Sequence, residues 1–221
     1  MIVTTLNCQG LASLPKKLVV RRLVEEKNID VLFLQEIMGN GLYLDAEMES
    51  LLGGWIFISL DAKGKSGGLL IGWRKILFNL VNAWAMDSGL SASLYSIEMK
   101  EVFCFMNIYG PYLDRVRFWN NLLSLECLKT TRLIFGGDLN FSLGCSKIWG
   151  EKARVDSLSD FFSENLDAFG LVDVVPHVLA PTWSNRRVGN ENIYKRLDRL
   201  LVSADFLDLD LHLRQWVGHW G

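Results

Sequence analysis

The chain has 221 residues, of which 50% are hydrophobic and 11% aromatic, and its formal net charge is −2. This composition excludes a disordered chain and supplies enough apolar material for one large domain. The near balance of 23 basic and 25 acidic residues excludes a general attraction to polyanions. Any nucleic acid would therefore have to be held by a local basic patch.

In chain order, the sequence first predicts a strand over residues 2–6, a helix over residues 15–28 and an apolar strand over residues 31–34. This order and spacing are typical of a parallel crossover unit. A short helix, a strand and a basic turn follow, over residues 44–52, 55–60 and 61–68. Further strands with short links come next, over residues 69–73, 77–86, 93–99 and 102–108. Short links favour antiparallel neighbours, so we expect these strands to pair in sequence.

The rest of the chain alternates helices with strands. Helices are predicted over residues 115–127 and 157–166, and Ser157 is expected to cap the second one. Strands are predicted from Leu133 onward and over residues 171–175, 182–183 and 194–202. No internal repeat or linker divides the sequence, so we expect one domain over residues 1–221. Mixed sheets with helices outside predict an α+β layered sandwich.

The stretch that begins at Leu133 carries the strongest chemical signal. An apolar strand runs into a Gly-Gly pair, and Asp138 and Asn140 follow with one residue between them. In extended backbone this spacing points both side chains to the same side. Such a pair suits the hydrolysis of a phosphate ester, because the carboxylate can prepare a water and the amide can stabilise charge on oxygen. An Asx-rich turn that caps a strand is the alternative interpretation.

Other predicted strands also end on polar residues that a core does not need: Asn7, Glu36, Asn107 and Tyr109. Because ligand sites are common where strand ends converge, these strand ends predict one shared ligand site. Glu36 is either a solvated acid or a ligand for a hard cation such as Mg²⁺. Asn7 is either a turn residue or a neutral ligand beside that cation. Tyr109 is either an aromatic at the edge of the core or a donor to a phosphate.

The four cysteines, Cys8, Cys104, Cys127 and Cys145, are scattered and form no Cys-x-x-Cys pair. We therefore expect free thiols in a reducing compartment and no zinc site. No apolar run reaches the length of a membrane span, and the N-terminus lacks the pattern of a secretory signal. These features predict an intracellular protein without membrane contact.

Six short motifs occur in order along the chain: Asn7, Leu34-Gln35-Glu36, Asn107-Ile108-Tyr109-Gly110-Pro111, Gly136-Gly137-Asp138-Leu139-Asn140, Pro181-Thr182-Trp183 and Arg196-Leu197-Asp198-Arg199. Each motif is weak alone, but the ordered set resembles the endonuclease/exonuclease/phosphatase superfamily. The residues within these motifs are most similar to those of the apurinic-type endonuclease domains of plant LINE-type non-LTR retrotransposons. The resemblance covers nearly the whole chain.

The resemblance implies a four-layer α/β/β/α sandwich of two mixed sheets with a metal-dependent phosphodiesterase site at one rim. The implied cofactor is Mg²⁺, with Mn²⁺ as a second choice. Glu36 would hold the metal with help from Asn7, and Asp138 would position or activate the attacking water. Many relatives carry an acidic residue at the position of Gln9, and a neutral amide there weakens that part of the metal site.

The same resemblance assigns phosphate contacts to Asn140, Tyr109 and Thr182, and it gives Asp198 the task of orienting a catalytic histidine. The family closes with Ser-Asp-His on a last strand, and this sequence contains no such triplet. His219 is nearest in order, but a glycine precedes it where the family has a metal ligand. We therefore expect that the chain stops short of the last strand and has little or no activity.

The resemblance also implies DNA as the substrate, native fusion to a reverse transcriptase and a nuclear location, with the isolated domain a monomer. Two basic regions either grip DNA or are ordinary solvated side chains: Lys63, Lys65, Arg74 and Lys75, and then Arg186, Arg187, Lys195, Arg196 and Arg199. Arg186 and Arg187 are favoured for DNA, since the corresponding hairpin of the retrotransposon relatives reads DNA shape. A phosphomonoesterase, a lipid phosphodiesterase of the same superfamily and a non-catalytic fragment stay open as alternatives.

Overall fold

The computed structural model describes most of the chain, namely residues 1–62, 67–125, 132–206 and 214–218. The chain divides into two compact units. The first unit consists of Met1–Gly110 and Leu133–Asp138, and the second of Pro111–Arg132 and Leu139–Gly221. In the described part of the chain, no helix is long and apolar enough to cross a membrane.

The first unit contains, in chain order, β1 (Val3–Asn7), α1 (Leu14–Lys27), β2 (Val31–Gln35), α2 (Gly41–Leu51), β3 (Trp55–Leu60), β4 (Leu69–Arg74), β5 (Phe78–Met86), β6 (Gly89–Ser96), β7 (Val102–Tyr109) and β8 (Leu133–Asp138). One mixed sheet has the order β1-β2-β4-β3, and within it β1 and β2 are parallel. This pairing confirms the first predicted crossover. In a second mixed sheet, β8 is parallel to β7, and β7, β6 and β5 are antiparallel neighbours.

The expected pairing of the strand at residues 69–73 is wrong. This strand, β4, is antiparallel to β2 and β3 in the first sheet, and it does not pair with β5. Gly72 of β4 is the reason that β3 fits beside it, because a Cβ at this position would collide with the ring of Phe57 on β3. Link length therefore predicts β5 to β7 correctly and fails for β4.

The core of the first unit has helices on one side of a sheet and a second sheet on the other. Val20 and Leu23 of α1 are buried in one cluster with Leu32 and Leu34 of β2. Alternate residues of β2 face the other way, since side chains alternate across a strand. Phe33 thus meets Phe105 of β7 edge to face, with ring centroids 6.4 Å apart. Burial on both faces explains the uninterrupted apolar run of β2 and confirms an α+β sandwich.

The second unit contains α3 (Arg115–Leu123), β9 (Ile148–Trp149), α4 (Ser159–Ala168), β10 (Leu171–Asp173), β11 (Trp183–Ser184), β12 (Tyr194–Lys195) and β13 (Asp198–Ser203). β10 pairs antiparallel with β13, and β11, β12 and β9 form a small antiparallel sheet in that order. The aromatic core of the second unit is built by Phe141 and Phe162, whose rings stack with centroids 3.7 Å apart, and by Trp119, which is edge-on to both rings.

Ser157 does not cap α4, contrary to the prediction. The helix begins two residues later, with Leu158 as its N-cap residue and without a capping hydrogen bond from that side chain. Asp156 Oδ1 accepts a hydrogen bond from the backbone N–H of Leu158 at 3.0 Å, and its carbonyl oxygen accepts one from Ser159. The Asp156 carboxylate thus holds the N-cap residue, while its carbonyl oxygen satisfies the first free N–H group of the helix.

Candidate active site

Polar side chains at the C-terminal ends of β1, β2, β7 and β8 meet at one edge of the first unit. The Asn7 amide nitrogen Nδ2 donates hydrogen bonds to Glu36 Oε1 at 2.7 Å and to Asp138 Oδ2 at 2.9 Å. The Tyr109 hydroxyl donates to the same Glu36 oxygen at 2.9 Å. The structure thus brings together four residues that the sequence singled out.

Glu36 and Asp138 share the hydrogen-bond donor of Asn7, so two carboxylates face one small region. Asp138 is only 5% exposed and Glu36 is half-buried. Negative charges this close repel each other in a partly dehydrated setting, and a cation between them relieves the repulsion. Asn7 Oδ1 accepts the backbone N–H of Gln9 at 3.2 Å, which fixes the orientation of the amide.

The backbone of Glu36 has a left-handed conformation, with φ at +52°. This region is unfavourable for a residue with a Cβ, and such strain persists only where the surroundings enforce it. Here the Glu36 carbonyl accepts the N–H of Gly10 at 2.7 Å, and the next N–H, of Ile37, is held by the carbonyl of Gly68 at 3.3 Å. The strained turn directs the carboxylate away from the end of β2 and toward Asn7.

Asn107 does not lie at this edge, so the prediction that it contributes to the shared site at the strand ends is wrong. Its side chain is fully buried between the sheets of the first unit. There it accepts a hydrogen bond from Gln35 at 2.6 Å and donates to the backbone carbonyls of Leu34 and Leu70. Sequence position alone could not distinguish an inward-facing amide from one at the rim.

The donor set of the edge suits a hard cation. No group of three or more His, Cys, Asp or Glu side chains that could hold a metal ion occurs among the described residues. Mg²⁺ commonly uses one or two carboxylates and completes its shell with water and substrate oxygens, so the Glu36 and Asp138 carboxylates fit it. Asn7 turns its amide nitrogen toward both carboxylates, and an N–H donor does not bind a cation, so Asn7 fits only through Oδ1. Cys8 is not a ligand of this kind, because burial raises the pKa of its thiol to about 12 and keeps it protonated.

Asn140 lies in the second unit, where its backbone is also left-handed, with φ at +52°. Arg115, the first residue of α3, donates from Nη2 to the Asn140 carbonyl at 3.1 Å and forms a two-pronged ion pair with Asp156 at 2.7 and 3.0 Å. Burial would raise the pKa of Asp156, but the hydrogen bonds from Arg115 and the charge of its guanidinium outweigh it and lower the pKa. The ion pair anchors the turn that carries Asn140.

Thr182 and Asp198 are adjacent in the second unit. Thr182 Oγ1 accepts the backbone N–H groups of both Leu197 and Asp198 at 3.0 Å. A hydroxyl has two lone pairs and one proton. With both lone pairs engaged, its O–H is the group that Thr182 can offer to a phosphate.

The histidine that Asp198 is predicted to orient is not placed by the structure. Within the described ranges His177 is exposed, and its backbone N–H donates to the Gln215 carbonyl at 3.4 Å. His212 and His219 lie outside the described residues.

Sequence reasoning missed a buried ionic cluster in the second unit, formed by Asp173, Arg196, Arg199 and Lys147. The Asp173 carboxylate accepts two hydrogen bonds from Arg196, at 2.8 and 2.9 Å, and one each from Arg199 at 2.7 Å and Lys147 at 3.0 Å. Both arginines are fully buried, so they are neither DNA-binding residues nor ordinary solvated side chains, and both interpretations are wrong. Their partner lies more than twenty residues away in sequence, which leaves no local signal.

Arg186 and Arg187 lie in the loop between β11 and β12 and are exposed. Asn185 shapes this loop, because its Oδ1 accepts the backbone N–H groups of Arg187 at 3.2 Å and Ile193 at 3.0 Å. Arg187 is 3.8 Å from Glu191, an exposed pair of little energetic consequence. Lys63 and Lys65 of the other basic region lie outside the described residues.

Three solved structures share the fold. The match to the endonuclease domain of TRAS1, a telomere-specific non-LTR retrotransposon, has 18% sequence identity and a TM-score of 0.62, and it covers 94% of this chain and 87% of that chain. The match to the 3′ phosphatase NExo from Neisseria, bound to product DNA hairpin, has 19% identity and a TM-score of 0.70, and it covers 92% of this chain and 86% of that chain. The match to an AP endonuclease from Archaeoglobus fulgidus has 16% identity and a TM-score of 0.74, and it covers 94% of this chain and 89% of that chain.

At these identities the likeness to solved structures is one of fold, and no curated protein matches the sequence. The family model of the endonuclease/exonuclease/phosphatase family, however, matches residues 4–219 and so spans nearly the whole chain. The predicted superfamily is thereby confirmed. The chain belongs to the endonuclease/exonuclease/phosphatase family.

Proposed function

We propose that the chain is a Mg²⁺-dependent phosphodiesterase that nicks DNA. The observation that carries the proposal is the Asn7 amide shared by the Glu36 and Asp138 carboxylates, with the Tyr109 hydroxyl on Glu36. Carboxylates can hold a cation and prepare a water, while amide and phenol donors contact phosphate oxygens. This combination suits the hydrolysis of a phosphate ester.

Glu36 would hold the Mg²⁺, for which Mn²⁺ could substitute, and Asn7 would help through Oδ1 once its amide turns over. When bound, the cation would neutralise charge that develops on the phosphate oxygens. Asp138 would orient the attacking water and accept its proton. Its near-complete burial strengthens this interaction, because a less polar surrounding screens charges less than bulk water does.

Phosphate contacts would come from Tyr109, Asn140 and Thr182, as the family resemblance implies. Thr182 has its lone pairs engaged by backbone N–H groups, so it would act as a donor. Asp198 would orient a histidine. Because the sequence lacks Ser-Asp-His, we expect slow turnover, since loss of a catalytic histidine or metal carboxylate lowers rates by orders of magnitude.

DNA is the proposed substrate, and Arg186 and Arg187 would contact its backbone. Two of the fold relatives support this choice, the TRAS1 endonuclease domain and the Neisseria enzyme bound to a DNA hairpin. In the same proposal the chain is the endonuclease part of a retrotransposon polyprotein of the plant LINE type. The 3′ end at its nick would prime an attached reverse transcriptase.

Nicking of supercoiled plasmid tests the proposal, with Mg²⁺ and with chelator present. We expect slow, metal-dependent conversion to the open circle by the wild type and loss of this conversion in Asp138→Asn and Glu36→Gln. Asp167→Asn, an exposed position on α4, is the matched control, because it removes one carboxylate elsewhere. Folded wild-type protein that does not nick at high enzyme concentration would overturn the proposal.

A second substrate separates this activity from phosphomonoester hydrolysis. An oligonucleotide with a 3′-phosphate is incubated under the same conditions, and released phosphate is measured. Release of phosphate without plasmid nicking would replace the nicking assignment with that of a phosphomonoesterase.

A further inference from the structure

We propose that the buried amide pair of Gln35 and Asn107 is a positioning device that sets the contact between Glu36 and Tyr109. The inference rests on the proposed function in so far as Glu36 is taken as the metal ligand. Neither amide belongs to the edge itself. Both side chains are fully buried inside the first unit, Gln35 on β2 and Asn107 on β7.

The pair joins the two sheets of the first unit by directional bonds. Gln35 Nε2 donates to Asn107 Oδ1 at 2.6 Å and to Thr5 Oγ1 at 3.0 Å. Asn107 Nδ2 donates in turn to the carbonyl oxygens of Leu34 at 2.9 Å and Leu70 at 3.0 Å. Asn107, from the second sheet, therefore uses both of its amide protons and its carbonyl oxygen on groups of the first sheet.

Such a network fixes one alignment of the sheets. Apolar contacts between sheets tolerate a small slide, because they are not directional. An amide that loses its hydrogen-bond partners inside the core stays desolvated without compensation, which is unfavourable. A slide of one sheet along the other that separates Gln35 from Asn107 is therefore opposed. We infer that these amides hold the register while aromatic pairs such as Phe33 and Phe105 supply the bulk of the packing.

The alignment of the two sheets directly determines where Glu36 and Tyr109 lie. Glu36 is the next residue after Gln35, and Tyr109 lies two residues beyond Asn107 on the same face of β7. The bond of 2.9 Å from the Tyr109 hydroxyl to Glu36 Oε1 therefore lies one residue beyond the buried bridge after β2 and two residues beyond it on β7. A displacement of the bridge would move the two groups apart, and a carboxylate loses its orientation when its supporting donor is removed.

The test compares Asn107→Leu with Phe105→Leu. Phe105 precedes Asn107 by two residues on the same face of β7, so its truncation loosens the same interface without touching the amides. Crystal structures give the distance from Tyr109 Oη to Glu36 Oε1, and kcat for nicking and the Mg²⁺ midpoint are measured for each variant. We expect Asn107→Leu to lengthen the distance beyond roughly 3.5 Å and to lower kcat or raise the Mg²⁺ midpoint by about 10- to 100-fold.

Phe105→Leu is expected to lower the melting temperature while the distance and the Mg²⁺ midpoint stay near those of the wild type. If Asn107→Leu keeps the tyrosine–glutamate bond, or if Phe105→Leu breaks it equally, the inference is wrong. The crystallographic distance decides this even if the wild type does not nick, so the two proposals fail separately. Gln35→Met, which keeps the side-chain length and removes the donor, is used if Asn107→Leu does not fold.

Discussion

Gly137 of β8 lies so close to Ile108 of β7 that no side chain fits between them. A Cβ at Gly137 would collide with the carbonyl oxygen of Ile108, and it would lie 3.1 Å from the backbone nitrogen of the same residue. The φ angle of Gly137, +137°, is also one that residues with a Cβ rarely adopt. Gly137 is thus required by the close approach of two parallel strands, and Asp138 follows it directly as the last residue of β8.

We expect Gly137→Ala to destabilise the fold by about 3 kcal/mol or more, because backbone strain and a backbone clash add together. Urea denaturation measures the change. Gly53→Ala is the control, since an added Cβ there meets no atom within 4 Å. A loss of less than about 1 kcal/mol for Gly137→Ala would show that the strands can separate without cost.

Asp173→Asn should be among the most damaging single changes in the second unit. The carboxylate is the shared partner of Arg196, Arg199 and Lys147, and burial lowers the pKa of Arg199 only to about 10, so it stays charged at neutral pH. Removing one member of a buried ion pair costs about 3–5 kcal/mol, because the remaining charge is left without compensation. Equilibrium unfolding in urea is the measurement, with Asp167→Asn as the control for the loss of one charge. Equal midpoints for the two variants would contradict the prediction.

Stability is expected to fall in acid through Asp156 and Asp173. Burial would raise both pKa values, but hydrogen bonds from Arg115 and Arg196, respectively, together with nearby positive charges, lower them in the folded state. A depressed folded pKa means that the stabilisation is complete above the unfolded pKa of about 3.9 and is lost as the pH falls through the folded value. Urea midpoints measured from neutral pH downward should therefore begin to drop near pH 4.

Asp156→Asn gives this pH dependence its own control. The variant lacks one titrating group, so it should be less stable than the wild type at neutral pH and should lose less stability on acidification. An acid branch as steep as that of the wild type would exclude Asp156 as a source of the effect.

How far sequence reasoning succeeds depends on the range of the interaction that decides each feature. The strand that begins at Leu133 and the crossover that leads to Glu36 follow from local apolar runs, and both are correct, although the strand continues through the glycine pair to Asp138. The environment of Arg196 and Arg199 follows instead from Asp173, a partner remote in sequence. Charge alone predicts exposure for such arginines, and only tertiary contacts reverse that expectation.

The same distinction applies to the candidate site. Asn7, Glu36, Tyr109 and Asp138 could be collected from the sequence because each directly ends or follows a recognisable strand. The inward orientation of Asn107 could not, since it depends on which face of β7 meets the other sheet.

Arg186→Ala combined with Arg187→Ala should weaken DNA binding and reduce its salt dependence. Both side chains are exposed on a loop that Asn185 shapes, and each phosphate contact contributes about 0.9 to the slope of log K against log salt concentration. The slope is measured by fluorescence anisotropy with a labelled duplex, and we expect it to become shallower by between about one and two. The matched control is Arg21→Ala combined with Arg22→Ala, which removes the same charge from α1, where each arginine pairs with a glutamate one turn away. If both double variants change the slope equally, the loop arginines act only through net charge, whereas a change confined to the loop variant assigns the phosphate contacts to Arg186 and Arg187.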